Sequence, residues 1–140
     1  MSASKPSGPA PAGLRELAGF ARSARRRAHA PFSRFKVGAA LRTREGEVVT
    51  GCNIENATYG LTLCAERVAV FKAVSEGLRT FDAIAIVADS KRPTAPCGPC
   101  RQILWEFCGD IWIHMADLKG GTVTRRLSEL LPLPFDDGNL

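Results

Sequence analysis

The sequence predicts one α/β domain, a mixed β-sheet with helices on both sides. Three observations predict it. Residues 35–52 read as two strands joined by a tight turn at Arg44-Glu45-Gly46, which is the pattern of a hairpin. Residues 81–88 hold an almost unbroken apolar run, Ala83-Ile84-Ala85-Ile86-Val87, which suits a strand buried on both faces, as central parallel strands are. From there helix-like and strand-like segments alternate, and a hairpin followed by β-α units gives a mixed sheet covered by helices.

The elements follow in order. The chain has 140 residues, of which 45% are apolar, enough for the core of a single domain. Residues 1–12 are mostly Ser, Pro, Ala and Gly. They offer nothing to bury and lack the apolar stretch of a secretory signal, so a disordered tail is expected there and a single folded domain over 13–140. From Gly13 the pattern turns helical: Leu14, Leu17, Ala18, Ala21 and Ala24 or Ala28 share a face, with arginines opposite. Pro31 is expected to end that helix. In residues 35–42, Phe35, Val37, Ala39 and Leu41 fall on one side of a strand, and 47–52 forms its hairpin partner. Residues 53–62 are polar and read as a loop; 63–76 are helical, with Gly77 as the stop. After the strand 81–88 and a loop over 89–96, residues 97–107 form a helix with Ile103, Leu104 and Phe107 inward. A strand is expected at 111–115, another at 122–125 after Gly120-Gly121, a last helical turn at 126–131, and an ordered or frayed tail over 132–140.

Charge and cysteine usage narrow the function. Net charge is +5, and the basic residues crowd into one region: Arg15, Arg22, Arg25, Arg26, Arg27, Arg34, Lys36, Arg42 and Arg44. Such a patch can meet phosphates. However, Arg25-Arg26-Arg27 carries no aromatic residue between its charges to stack a base, and arginines suit the C-terminal end of a helix. Nucleic acid is not the expected partner. No apolar run reaches the eighteen or so residues of a membrane span. Five cysteines cannot all pair within the chain; reduced thiols in the cytoplasm are expected.

The chemistry concentrates in Cys64-Ala65-Glu66 and Pro96-Cys97-Gly98-Pro99-Cys100. A C-x-x-C pair reaches one metal from a single turn, and Cys64 supplies a third thiolate if the fold brings it close. Zinc favours thiolates in a tetrahedral set, and a catalytic zinc keeps one position open for water. Three cysteines without an obvious fourth ligand therefore point to an open site. Glu66, two residues from a ligand, is placed to handle the protons of that water. The pattern resembles the H-x-E…P-C-x-x-C signature of zinc deaminases in its three-cysteine variant. Both cysteine segments open helices, whose N-terminal N–H groups and dipoles favour thiolate. Arg67 is expected to hydrogen-bond a ligand sulfur and offset the surplus negative charge. Asn53 and Glu55 alternate where a strand runs into a loop, so they face the same way and suit the hydroxyls of a sugar. A structural-zinc binding module is the rival from another class; it needs a fourth protein ligand, for which Cys52, Cys108 and His114 are the candidates. Cys52 and Cys108 otherwise read as small core residues, and His114 as a strand histidine.

Four segments taken together, Phe35-Lys36-Val37-Gly38-Ala39-Ala40-Leu41, Gly51-Cys52-Asn53-Ile54-Glu55-Asn56, Cys64-Ala65-Glu66-Arg67 and Pro96-Cys97-Gly98-Pro99-Cys100-Arg101-Gln102, give a chain that resembles the small homotetrameric, zinc-dependent cytidine deaminases of pyrimidine salvage. The resemblance implies a three-layer α/β/α sandwich on a five-stranded mixed sheet. It implies hydrolytic deamination of cytidine and deoxycytidine to uridine and deoxyuridine, with ammonia released, by a zinc-activated water. Cys64, Cys97 and Cys100 would hold one Zn²⁺ per subunit, and Glu66 would be the proton shuttle. Asn53 and Glu55 would bind the ribose 3′-hydroxyl, Phe35 would line the base and sugar pocket, and the Ala65 N–H would meet the base carbonyl. Tyr59 would reach the sugar from a neighbouring subunit of a tetramer with shared active sites, and Phe135 would stack on the base. A blasticidin-type or other aminopyrimidine deaminase is the nearest alternative; Arg67 and Asn53-Ile54-Glu55-Asn56 resemble the nucleoside enzymes instead.

Overall fold

The apolar run that predicted a doubly buried strand forms the middle of the sheet. In a computed structural model, which describes residues 9–140, β3 (Phe81–Ala88) pairs antiparallel with β1 (Val37–Thr43) and parallel with β4 (Trp112–Ala116). The hairpin partner β2 (Val48–Cys52) and the last strand β5 (Thr122–Arg126) take the two edges, giving the order β2-β1-β3-β4-β5. Gly46, at φ +98°, makes the β1–β2 turn, a conformation glycine adopts without steric cost.

Helices cover both faces. On one lies α1 (Leu14–Arg25), whose Leu14, Leu17 and Ala21 pack on Ala40, Ala83, Ala85 and Val87. On the other, α2 (Ala65–Ser75), α3 (Gly98–Cys108) and the short α4 (Leu127–Leu130) enclose the larger core, including Leu41, Val70, Ile84, Ile86, Leu104 and Ile113. The three-layer sandwich on a five-stranded mixed sheet is therefore the observed architecture.

Small residues set how closely the layers approach. A Cβ on Gly38 would lie 1.9 Å from the Ala21 carbonyl oxygen and 2.6 Å from the Arg25 nitrogen, both backbone atoms of α1. One on Gly51 would lie 2.5 Å from the Ala65 oxygen and 2.6 Å from the Ala69 nitrogen in α2. Neither neighbour can swing aside as a side chain would. Gly38→Ala is expected to cost about 3 kcal/mol, at the upper end of ordinary overpacking, which lowers the melting temperature by roughly 10 °C for a domain this size. A thermal melt within a degree or two of the parent would contradict the close α1–β1 contact.

Several boundaries differ from those predicted. α1 stops at Arg25, well before Pro31. The following residues are drawn into pairing with the loop after β2: the His29 N–H donates to the Asn53 carbonyl (3.0 Å) and the Glu55 N–H to the His29 carbonyl (2.8 Å). β1 starts at Val37, opposite the last residue of β3, so Phe35 and Lys36 precede the strand; Arg34, at φ +58°, turns the chain just before them. The loop 53–62 contains a 3₁₀ turn over Tyr59–Leu61. The predicted tail, 1–12, lies mostly outside the described residues; within its remainder, the Ala12 carbonyl accepts from Arg42, whose guanidinium also grips Asp82 at 2.9 Å through both Nε and Nη2. Arg25 donates to the Lys36 carbonyl. Two members of the basic patch are thus committed within the chain. Among the described residues no helix is long and apolar enough to cross a membrane.

Candidate active site

Two helix N-termini meet at the site. Cys64 is the N-cap of α2 and Cys97 that of α3, and neither helix start has a side-chain cap. The N–H groups of both first turns, and the positive ends of both dipoles, are therefore left to whatever sits among the sulfurs. Cys100 follows within the first turn of α3, and Pro99 occupies a position where a missing N–H costs no helical hydrogen bond. The three Sγ atoms lie within 4.8 Å of one another, with Cys64 and Cys97 at 3.9 Å. Two thiolates bound to one tetrahedral zinc at ~2.3 Å stand about 3.8 Å apart, so the set fits that ion. Among the described residues this is the one cluster able to hold a metal; Cys52, Cys108 and His114 lie outside it. His114 Nδ1 is engaged with Thr124 Oγ1 at 2.8 Å, and burial pushes the Cys108 thiol up to about 12; neither residue joins the three sulfurs as a fourth ligand here.

The electrostatics favour one thiolate first. The Cys64 thiol is brought down to about 6, chiefly by the hydrogen bond from Cys100 and then by the Arg67 charge. Cys100 is pushed up by that same bond to Cys64, by its burial and by the negative charge of Glu66. A second thiolate beside the first is resisted until a cation compensates it. Arg67 Nε donates to Cys100 Sγ at 3.5 Å, and its guanidinium is held still more firmly protonated by that sulfur.

Glu66 lies in the first turn of α2 and is 5% exposed. Burial pushes its carboxyl up to about 7, and the nearby Cys64 charge adds to the rise; a dication on the sulfurs would draw it down again. It forms one wall of a cavity of about 250 Å³, along with Cys64, Ala65 and Cys97. Phe35, Asn53 and Glu55 line the same cavity. Asn53 braces its rim: Oδ1 accepts the Val37 N–H (2.9 Å) and Nδ2 donates to the Phe35 carbonyl (2.7 Å).

The fold therefore gathers nine of the eleven proposed site residues: seven line one cavity, Cys100 completes the sulfur cluster, and Arg67 is hydrogen-bonded to it. Tyr59 and Phe135 are not among them: they do not line this chain's cavity and are 76% and 62% exposed. Phe135 is held elsewhere because α3 fastens the C-terminal segment to itself. Gln102 Nε2 donates to the Phe135 carbonyl (2.6 Å), Trp105 Nε1 to Asp136 Oδ2 (2.9 Å), and Arg101 bridges the Pro96 and Leu130 carbonyls, both at 2.8 Å. Sequence reasoning missed this fastening, and missed Ser33, Thr94 and Ala95 as lining residues. The Arg101-Gln102 pair beside the C-x-x-C was the available signal for the first; the second carried none.

Residues 14–115 match the family model described as the cytidine and deoxycytidylate deaminase zinc-binding region. The chain belongs to this family. A cytidine deaminase of Halalkalibacterium halodurans is 55% identical over 113 residues, covering 80% of this chain and 86% of that protein. One of Sporosarcina psychrophila is 45% identical over 128 residues, covering 91% and 94%. The crystal structure of the Burkholderia pseudomallei cytidine deaminase superposes with a TM-score of 0.84 at 45% identity, covering 86% of this chain and 98% of that one. All the cysteines and carboxylates of the deaminase cavity fall inside the matched span, while the segment that α3 fastens lies beyond it.

Proposed function

We propose that this protein is a zinc-dependent cytidine deaminase, a hydrolase that converts cytidine and deoxycytidine to uridine and deoxyuridine and releases ammonia. The observation that carries the reading is a three-thiol cluster of zinc dimensions beside a buried carboxylate, in a cavity of nucleoside size rimmed by an amide and a second carboxylate. Cys64, Cys97 and Cys100 would hold the ion, which when bound supplies a water acidic enough to react near neutral pH.

The chain's own residues do the rest. Glu66 takes the proton of the attacking water and delivers it to ring N3, which makes C4 electrophilic. It then carries the proton of the hydroxyl added at C4 to the amino group, which leaves as ammonia while the C4 carbonyl forms. A buried carboxyl in the wall of the cavity is placed to take and give these protons. Arg67 holds the Cys100 sulfur and balances the surplus thiolate charge. The Ala65 N–H meets the base carbonyl, Phe35 covers base and sugar, and Asn53 and Glu55 take the sugar 3′-hydroxyl. A carboxylate on that hydroxyl leaves no room for a 3′-phosphate, which supports free nucleosides over polynucleotides and a role in pyrimidine salvage.

Cytidine mixed with the zinc-loaded protein is expected to show the ultraviolet absorbance fall of conversion to uridine, with one ammonia per nucleoside. An unchanged spectrum with zinc present would overturn the reading. We infer further that the working form is a homotetramer: Tyr59 and Phe135 lie exposed on one chain, as residues meant for a neighbour's cavity would. A solution mass of one chain with full activity would contradict this. Five unpaired cysteines support a cytoplasmic location; recovery of the protein from the medium instead of the cell lysate would contradict that.

A further inference from the structure

Glu55 is less free than a substrate-binding carboxylate needs to be. Its Oε1 accepts two backbone N–H groups, from Phe32 (2.9 Å) and Ser33 (3.1 Å), and its Oε2 accepts the Ser33 hydroxyl. A carboxylate has about four acceptor positions, so three are filled from within the chain and one, on Oε2, remains. The Ser33 oxygen in turn accepts the Phe35 N–H at 3.0 Å, while the Phe35 carbonyl is held by Asn53. Ser33, Phe35, Asn53 and Glu55 all line the cavity. One hydroxyl therefore ties the carboxylate to the backbone of the aromatic residue beside it, across a turn at Arg34 with φ +58°.

We propose that Ser33 is a positioning residue for sugar recognition: its hydroxyl fixes Glu55 Oε2 so that the one remaining acceptor site meets a nucleoside hydroxyl. This rests on the reading that Glu55 takes the 3′-hydroxyl. The two backbone donors hold Oε1 and stop the carboxylate from leaving, but they leave its rotation about that anchor open. The Ser33 hydroxyl closes it. Without the hydroxyl, Oε2 gains a second open acceptor site, which water fills, and the Phe35 N–H loses its acceptor. The hydrogen bonds of this set run among Phe32, Ser33, Phe35, Val37, Asn53 and Glu55 and include neither Glu66 nor a sulfur, so the chemical step is expected to be unchanged.

The test is a substrate comparison on the zinc-loaded enzyme. Ser33→Ala and the parent are each assayed with cytidine and with 3′-deoxycytidine. Losing one hydrogen bond to a charged group predicts a KM for cytidine raised about tenfold, with kcat and the KM for 3′-deoxycytidine within about twofold of the parent. An equal KM rise for both substrates, or a loss carried by kcat, overturns the proposal, because the serine then acts on the loop as a whole. If the parent itself fails to distinguish the two nucleosides, the Glu55 reading fails and the proposal falls with it. A parent that discriminates, alongside a Ser33→Ala variant that discriminates equally, overturns the Ser33 role alone.

Discussion

Glu66→Gln is expected to lose turnover on cytidine by at least ~10²–10⁴, the range for removing a general acid–base, while keeping its zinc. Glutamine matches glutamate in size, so a side chain 5% exposed in the first turn of α2 is replaced without a cavity or a clash. What disappears is the capacity to accept a proton and pass it on. The loss should reach or pass the upper end of that range, since in the proposed mechanism one group would serve the water, N3 and the departing amine. Binding of cytidine should survive, because Asn53, Glu55 and Phe35 are unchanged. The measurement is kcat with zinc content determined on the same sample. A zinc-replete variant within tenfold of the parent would remove Glu66 from the chemistry.

Cys100→Ser is expected to strip the metal. Cys100 is fully buried, lies within 4.8 Å of the other two sulfurs and takes the Arg67 hydrogen bond. A serine hydroxyl at that position remains protonated at neutral pH and is a poor zinc ligand. Zinc affinity should fall by more than the ~10–100-fold that residues merely supporting a ligand are worth, and activity should fall with it. Cys108→Ala provides the control, since Cys108 lies outside the cluster and should keep its zinc. Dialysis against a chelator followed by metal analysis reads both. One zinc per chain retained by Cys100→Ser would show that the ion is held elsewhere.

The parts of the fold that burial decides were legible in the sequence. Phe81–Ala88 is a strand to the residue, because a short run apolar on both faces has one economical place, the centre of a covered sheet. Cys97 and Cys100 declared themselves through their spacing, which is a local property. Other features depend on partners far along the chain. After Arg25 the chain leaves α1 through i→i−3 bonds at Arg26, Arg27 and Ala28, and His29 pairs with Asn53 and Glu55, a pairing no period in residues 14–30 encodes. Ser33 reaches Glu55 across 22 residues, and Gln102 reaches Phe135 across 33. Side-chain hydrogen bonds of that span leave no pattern in composition or periodicity. The approach of Cys64 to the C-x-x-C is equally non-local; the motif resemblance anticipated it, where spacing alone could not.

An open fourth position on the metal would separate a hydrolytic site from a structural one, and zinc K-edge X-ray absorption of the loaded protein reads it directly. Three sulfurs at ~2.3 Å and a single oxygen or nitrogen neighbour at ~2.0 Å, the latter exchanged by added cytidine analogue, is the predicted spectrum. Four sulfurs, or three sulfurs with the multiple-scattering signature of an imidazole, would mean that the polypeptide fills the position and that no deamination occurs there.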